Sequence, residues 1–139
     1  MLKPAGRTYK KLLVLAATLL VQVPSQAHHS ITGEFDTAVT FELRGTLTRL
    51  DWTNPHLWYY LDVVNDAGVV EQWQCTTGLN PNRLLRAGWK KDDLPIGTVI
   101  RTLRSNPARD ESNTCIVGGI TLDDGTPIFS GNKGETTSQ

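Results

Sequence analysis

The sequence predicts an all-β fold: a five-stranded OB-like Greek-key barrel with one short helix between strands three and four. Three observations support this prediction. Residues 39–51 alternate apolar and polar side chains over a length that suits a long, half-buried strand. Turn residues separate this segment from four further strand-like segments, and a helical pattern stands between the third and the fourth. A closed barrel leaves no exposed strand edge; a small open β-sandwich is the alternative architecture.

The strand-like segments are rich in β-branched and aromatic residues and are bounded by turn signals. They span residues 39–51, 56–64, 69–76, 98–103 and 114–122, and residues 127–129 predict a short closing strand. Gly45 predicts a bulge or bend inside the first strand, and Gly118 with Gly119 predicts a bend inside the fifth. The sequence NDAG at residues 65–68 predicts a hairpin turn between strands two and three.

The helical pattern follows the third strand and has recognisable ends. Asn80 suits the N-cap and Pro81 suits the first helical position, while Gly88 is a typical C-terminal stop. These signals predict a helix of about two turns, in which Leu84 and Leu85 face the core.

The N-terminal residues have the pattern of a cleaved secretory signal. Four basic residues precede the apolar run LLVLAATLLVQV, and Ser25 and Ala27 supply small residues before a cleavage site. The run is shorter than the roughly 20 apolar residues that span a bilayer. The sequence therefore predicts an exported chain that begins at His28, is periplasmic or secreted, and has no membrane attachment after cleavage.

This cleavage site divides the chain into four predicted parts. They are the signal peptide (residues 1–27), an N-terminal arm (28–37), the barrel domain (38–130) and a disordered tail (131–139). The mature chain has ten basic and fourteen acidic residues, a formal charge of −4. Because phosphate-backbone binding needs a basic face, nucleic acid is not an expected partner. The expected partners are an unknown small ligand or a periplasmic protein.

Cys75 and Cys115 are the only cysteines of the chain. Disulfides persist in exported proteins, so we predict that the two are bridged; two buried free thiols are the alternative. The bridge would close a loop of about 40 residues and stabilise the fold by roughly 3–4 kcal/mol in the chain-entropy model.

Four segments of the chain carry a family resemblance. They are AHHS at residues 27–30, DWTNPHLWYYLDV at 51–63, GLNPNRLLRAGWKKDDLPIGT at 78–98 and LDDGTPIFSG at 122–131. These segments resemble a family of small exported bacterial proteins of unknown function, and WTNPH is their most specific element. The resemblance implies a secreted β domain and no established activity. The cysteine pair is not part of the family motif.

The histidines are candidate metal ligands. If the cut follows Ala27, His28 carries a free α-amino group, so its amine and imidazole nitrogens can chelate one ion together. His29 can add a nitrogen, and His56 is a candidate third ligand. Nitrogen ligands of this kind suit copper(II), and imidazole, with a pKa of about 6.5, is largely neutral at neutral pH. The alternative is two inert histidines on a flexible arm.

A second candidate site surrounds the turn between strands one and two. Trp52, Asn54, His56 and Trp58 are its candidate ligand-binding residues, with the aromatic rings as a stacking platform for a flat or sugar-like ligand. Asn54 is also expected to hydrogen-bond the turn itself. This site belongs to the alternative function, a barrel that binds a ligand or protein without any metal.

Core packing is the competing role for the aromatic residues. Alternation places Trp58 and Tyr60 on one face of the second strand, and Leu57, Tyr59 and Leu61 on the other. One of the two faces must be buried.

The sequence predicts a binding module and no enzyme. It contains no G-x-S-x-G, H-E-x-x-H or P-loop motif. Its adjacent carboxylates, such as Asp92 with Asp93, lie in turn-like segments and are poor catalytic pairs.

Overall fold

The computed structural model describes residues 31–135, which form a curled eight-stranded β-sheet with few helices. The strands are β1 (Arg44–Asp51), β2 (Trp58–Val64), β3 (Val70–Thr76), β4 (Val99–Leu103), β5 (Asn106–Pro107), β6 (Thr114–Ile116), β7 (Gly119–Leu122) and β8 (Pro127–Ile128). The helices are α1 (Ile31–Glu34), α2 (Pro81–Arg86) and a 3₁₀ helix (Lys91–Asp93).

The strands are hydrogen-bonded in the order β5-β6-β3-β2-β1-β4-β7-β8. All pairs are antiparallel except β3 with β6, which is parallel. Only Val117 and Gly118 lie between β6 and β7. The Val117 N–H donates to the Thr76 carbonyl at the end of β3 (2.8 Å), and the Gly118 N–H donates to the Leu103 carbonyl at the end of β4 (2.8 Å). Two consecutive residues therefore join opposite parts of the sheet, which makes it curl.

The mostly β fold is confirmed, but the predicted count of five strands is wrong, because the described residues form eight. Each of the five predicted segments contains a strand. The fifth is divided into β6 and β7 because the chain changes partner at the predicted bend. The pair Pro107 and Cys115 extends the sheet by β5, in a segment that the sequence assigned to a polar loop. The first strand begins later than predicted, and Phe41 makes only an isolated bridge to Ser105.

Gly45 does not form the predicted bulge. The register of β1 against β2 shifts between Leu47 and Arg49 instead. Gly45 is buried against β2: a Cβ at this position would lie 2.8 Å from Val63 Cγ2 and 2.9 Å from the Asp62 carbonyl oxygen. Close approach of two backbones is thus the reason for a glycine here.

The helix α2 has the predicted ends. The Asn80 side chain accepts a hydrogen bond from the Asn82 N–H (2.8 Å), and Pro81 occupies the first turn. Leu84 is buried, whereas Leu85 is 52% exposed, so the prediction that both leucines face the core is wrong for Leu85. On so short a helix, buried residues recur three positions apart, at Pro81 and Leu84, and adjacent residues do not share a face.

The predicted disulfide is confirmed. Cys75 on β3 and Cys115 on β6 are partners in the parallel register and are bridged, and both are fully buried. The bond is compatible with an extracellular location. None of the helices formed by residues 31–135 combines the length and apolar character needed to span a membrane.

Residues 131–135 are bound to the body of the domain, although the sequence assigned them to a disordered tail. The Trp89 indole donates to the Gly131 carbonyl oxygen (3.1 Å). Lys133 forms an ion pair with Asp93 at 2.6 Å between Nζ and Oδ1. The prediction of disorder rested on the polar composition of these residues. Composition alone does not reveal such specific hydrogen-bond and ion-pair partners.

We predict that Gly45→Ala destabilises the fold by about 1–3 kcal/mol, because overpacking forces the two strands apart. Gly78→Ala is the matched control, since nothing lies within 4 Å of a Cβ there and its φ is not in the left-handed region. Urea midpoints of both variants measure the difference. Equal midpoints would contradict the close approach at Gly45.

Candidate ligand-binding groove

The strand β2 has the predicted alternation. Leu57 and Tyr59 are fully buried and Leu61 is almost so, which places all three in the core. Trp58 and Tyr60 are half-buried and lie on the opposite, outer face of the sheet. The aromatic residues are therefore divided between packing and a surface that a ligand can reach.

Tyr60 lies in a groove across β1, β2 and β3. The Arg49 guanidinium lies over the Tyr60 ring, 3.5 Å from its centroid, and is paired with Asp51 at 3.2 Å. Gln74 stands opposite Tyr60 in the register of β3. This part of the groove has a volume of about 470 Å³ and is lined by Thr48, Arg49, Tyr60, Leu61, Gln72, Trp73, Gln74, Ser112, Asn113 and Thr114.

Trp58 lies in an adjoining depression with a volume of about 440 Å³. Its lining residues are Gly33, Glu34, Trp58, Gln74, Ala108, Arg109, Asp110, Ser112 and Thr114. The two depressions share Gln74, Ser112 and Thr114, so they adjoin along one surface. We call the combined surface the outer groove.

Hydrogen bonds fix the polar side chains at the middle of the outer groove. The Gln74 amide donates to Thr114 Oγ1 (2.9 Å), and the Ser112 hydroxyl donates to Asp110 Oδ1 (2.6 Å). Ser112 Oγ also lies 2.9 Å from Thr114 Oγ1. The bonds from the Ser112 hydroxyl and backbone N–H lower the pKa of Asp110, so its carboxylate stays ionised at neutral pH. These hydrogen bonds hold the side chains in fixed positions.

The N-terminal arm forms one wall of the outer groove. The Arg109 N–H donates to the Glu34 carbonyl oxygen (2.9 Å), and its Nε donates to the Thr32 carbonyl oxygen (3.1 Å). Phe35 is buried and bridges to Ala108. Residues 32–35 are thus attached to the sheet beside Trp58.

The charges that line the outer groove are balanced. Arg49 and Arg109 are its cations, and Glu34 and Asp110 are its anions. The remaining polar groups of the lining are neutral amides and hydroxyls. Such a surface offers hydrogen bonds without a net charge.

The structure does not bring the four predicted ligand-binding residues together. Only Trp58 lines the outer groove. Trp52 packs edge-on against Phe129, with 5.3 Å between ring centroids. Asn54 and His56 are exposed, and the Asn54 side chain has no hydrogen bond within residues 31–135, so the expected bond to the turn is absent there.

The predicted metal ligands are not assembled within residues 31–135. His28 and His29 lie outside the described residues, and His56 is exposed. No group of three or more histidine, cysteine or acidic side chains in the described part of the chain is placed to hold a metal ion. Copper binding therefore stays a prediction from the sequence.

Sequence reasoning missed Arg49, Gln74 and Thr114 as groove residues. The predicted four-residue turn would pair Val64 with Val69 and place Trp73 opposite Tyr60, whereas the observed pairing of Val64 with Val70 places Gln74 there. Gln74 lies beside Thr114 because the bridged cysteines, which directly follow each of them, pair in parallel register. Arg49 had no sequence signal either, since the register shift in β1 decides which way its side chain points.

Comparison with known proteins identifies the family of the chain and solved structures with a similar fold. Residues 16–117 match the model of DUF6152, a family of unknown function. No curated protein sequence matches the chain. The family match agrees with the predicted resemblance to a family of unknown function, while its AHHS and WTNPH motifs stay predictions.

Two solved structures of OB-fold proteins are similar to this one. The mitochondrial single-stranded DNA binding protein Rim1 from S. cerevisiae has 10% sequence identity and a TM-score of 0.43, over 60% of this chain and 92% of that chain. The N-terminal domain of PriB protein from Thermoanaerobacter tencongensis has 21% identity and a TM-score of 0.40, over 60% of this chain and 93% of that chain. The likeness concerns the fold alone.

The exclusion of nucleic acid as a partner is corrected by this finding. The exclusion rested on the formal charge of −4, whereas Rim1 is a single-stranded DNA binding protein with a similar fold. Net charge alone does not decide such binding, because binding depends on the charge of one face. The likeness itself assigns no ligand to this chain.

We predict that Trp52→Ala lowers the free energy of unfolding by at least about 1 kcal/mol, the size of one aromatic pair. Trp58→Ala removes an outer-face ring and is expected to cost less. Thermal and urea unfolding of both variants measure the difference. A larger loss for Trp58→Ala would show that its ring serves packing.

Proposed function

We propose that this chain, which belongs to the family of unknown function DUF6152, is a non-catalytic module that binds the neutral sugar rings of an oligosaccharide in its outer groove. The proposal places this groove on the outside of an OB-like barrel that is exported after cleavage of its signal peptide. The buried disulfide supports the exported location, because such bonds persist in oxidising compartments.

The observation that carries the proposal is the pair of outward-facing rings of Trp58 and Tyr60 among fixed amides and hydroxyls. Trp58 and Tyr60 are two positions apart on β2, so their Cα atoms are about 7 Å apart along the strand. Apolar faces of sugar rings pack against aromatic rings, and sugar hydroxyls exchange hydrogen bonds with amide and hydroxyl groups such as those of Gln74 and Ser112. Ligand sites typically combine an apolar surface with a few placed polar groups in this way.

The charge balance of the outer groove favours a neutral ligand. A phosphate or carboxylate on the ligand would face Glu34 and Asp110 as well as Arg49 and Arg109, so it gains little net attraction. The Arg49 guanidinium covers one face of the Tyr60 ring, so on that side a ligand would stack on the guanidinium plane instead of on the ring.

We predict that the mature protein binds at least one of chitohexaose, cellohexaose and maltohexaose, measured by calorimetry. Trp58→Ala is expected to weaken that binding by about tenfold or more, which corresponds to about 1.4 kcal/mol, because one stacking surface is lost. His56→Ala is the matched control, since His56 is exposed, close in sequence and outside the groove lining.

Two results would contradict the sugar proposal. Equal weakening by His56→Ala and Trp58→Ala would place binding at the loop before β2. Binding of an oligothymidylate at the same groove, in preference to all three sugars, would assign the outer groove to single-stranded nucleic acid.

A copper site at His28 and His29 is a second proposal, and the order Ala27-His28-His29 supports it. The site needs the free amine that cleavage after Ala27 creates, because the amine and imidazole of His28 form one chelate. His56 is a candidate third ligand, and its exposure leaves it accessible.

We predict that one alanine added before His28 abolishes tight copper(II) binding, because it removes the amine from the chelate. Binding is also expected to weaken as pH falls through the imidazole range, since protons compete for the same nitrogens. Copper titrations of the cleaved and extended proteins, with His29→Ala and His56→Ala, test this. Equal affinity in the cleaved and extended forms would contradict the N-terminal chelate.

A further inference from the structure

A second pocket, separate from the outer groove, has a volume of about 600 Å³. It lies where the chain leaves β3 and β4 and where β6, β7 and β8 meet. Its lining includes Tyr59, Arg104, Gly118, Gly119, Phe129 and Gly131. None of its lining residues lines the outer groove. We call it the Tyr59 pocket.

The Tyr59 hydroxyl is a buried polar group without a partner. The residue is fully buried, and its hydroxyl has no hydrogen-bond partner in the part of the chain that the structure describes. Burial raises the pKa of Tyr59, so the hydroxyl keeps its proton and remains a donor. The Thr77 hydroxyl opposes that rise only in part and is not in hydrogen-bonding geometry with Tyr59. A buried donor left unpaired is costly, which points to a ligand that supplies the acceptor.

Arg104 gives the pocket a positive charge. The side chain is exposed and has no ion-pair partner among residues 31–135. A Cβ on Gly118 would lie 3.2 Å from Arg104 Nε, so the glycine lets the guanidinium lie against the backbone. Acidic side chains are absent from the pocket lining.

The backbone at the edge of the pocket has uncommon conformations. Arg104 and Phe129 have φ values of 50° and 54°, in the left-handed region that side-chain-bearing residues rarely occupy. Such residues cluster at binding sites, where the surrounding structure fixes them. Both residues line this one pocket.

The rest of the lining decides the class of ligand. Six leucine, valine, isoleucine and proline residues and Phe129 supply the apolar part of the wall, and four glycines supply backbone. An apolar wall with one cation and a buried donor fits a molecule that has an apolar body and one anionic group.

We propose that the Tyr59 pocket binds a small organic carboxylate with an apolar body. Arg104 pairs with the carboxylate, the apolar wall holds the body, and the Tyr59 hydroxyl donates a hydrogen bond to an oxygen of the bound molecule. The site is independent of the oligosaccharide groove.

Phenylacetate is the probe, and phenylacetamide, of the same shape without the charge, is the matched control. Amide signals of Gly118, Gly119 and Gly131 in ¹⁵N-labelled mature protein report binding in the pocket. We expect these signals to give a dissociation constant for phenylacetate at least tenfold lower than that for phenylacetamide. Tenfold corresponds to about 1.4 kcal/mol, the scale of a hydrogen bond to a charged group.

Two variants test the named groups. Arg104→Gln is expected to weaken phenylacetate binding by about tenfold or more, with Arg86→Gln, which lies outside the pocket, as its control. Tyr59→Phe is expected to weaken it by about twofold to tenfold while leaving the unfolding temperature unchanged or higher, since it removes an unpaired buried hydroxyl.

In the unaltered protein, two results would overturn the proposal. One is equal affinity for phenylacetate and phenylacetamide, and the other is no shift of the three glycine signals with either probe. Full phenylacetate affinity in Tyr59→Phe would overturn the role of the hydroxyl. Oligosaccharide binding is expected to be unchanged in both Arg104→Gln and Tyr59→Phe, so failure of one site is distinguishable from failure of the other.

Discussion

The fold depends on the change of partner at Val117 and Gly118. Residues before this point pair with β3, and residues after it pair with β4, so one short segment joins both sides of the sheet. Because the sheet curls around this connection, it has an inner face that packs into the core and an outer face that carries the outer groove. Tyr59 and Tyr60, adjacent in sequence, thereby serve two different surfaces.

The parts of the fold that could be predicted are those that neighbouring residues in the sequence determine. Alternation on β2, the Asn65–Gly68 turn and the Asn80 cap each depend on residues within one element, and each is present in the structure. The strand count was not predictable, because the division of the fifth strand depends on two partners distant in sequence. The prediction for Leu85 failed, and Arg49 was not predicted at all, for a related reason: helix length and strand register, not residue type, decide which way these side chains point.

The candidate sites show the same division between local and non-local information. Alternation places Trp58 and Tyr60 on one face of β2 but leaves open which face is buried, and only the fold decides this. Trp52 packs against Phe129, a residue 77 positions later. The Tyr59 pocket has no sequence signal, because Tyr59 lies in β2, Arg104 follows β4 and Gly118 lies between β6 and β7. A pocket of this kind is visible only after the chain has folded.

The disulfide fixes the geometry at the centre of the outer groove. The parallel pairing of β3 with β6 comprises only three residue pairs, and the bridged cysteines occupy the middle one. Gln74 and Thr114, which form the centre of the outer groove, are held side by side by that short pairing. The backbone and side-chain hydrogen bonds around Gln74 and Thr114 do not require the disulfide, but the covalent link that fixes this short pairing is lost on reduction. Reduction of the bond between Cys75 and Cys115 is therefore expected to loosen the centre of the outer groove.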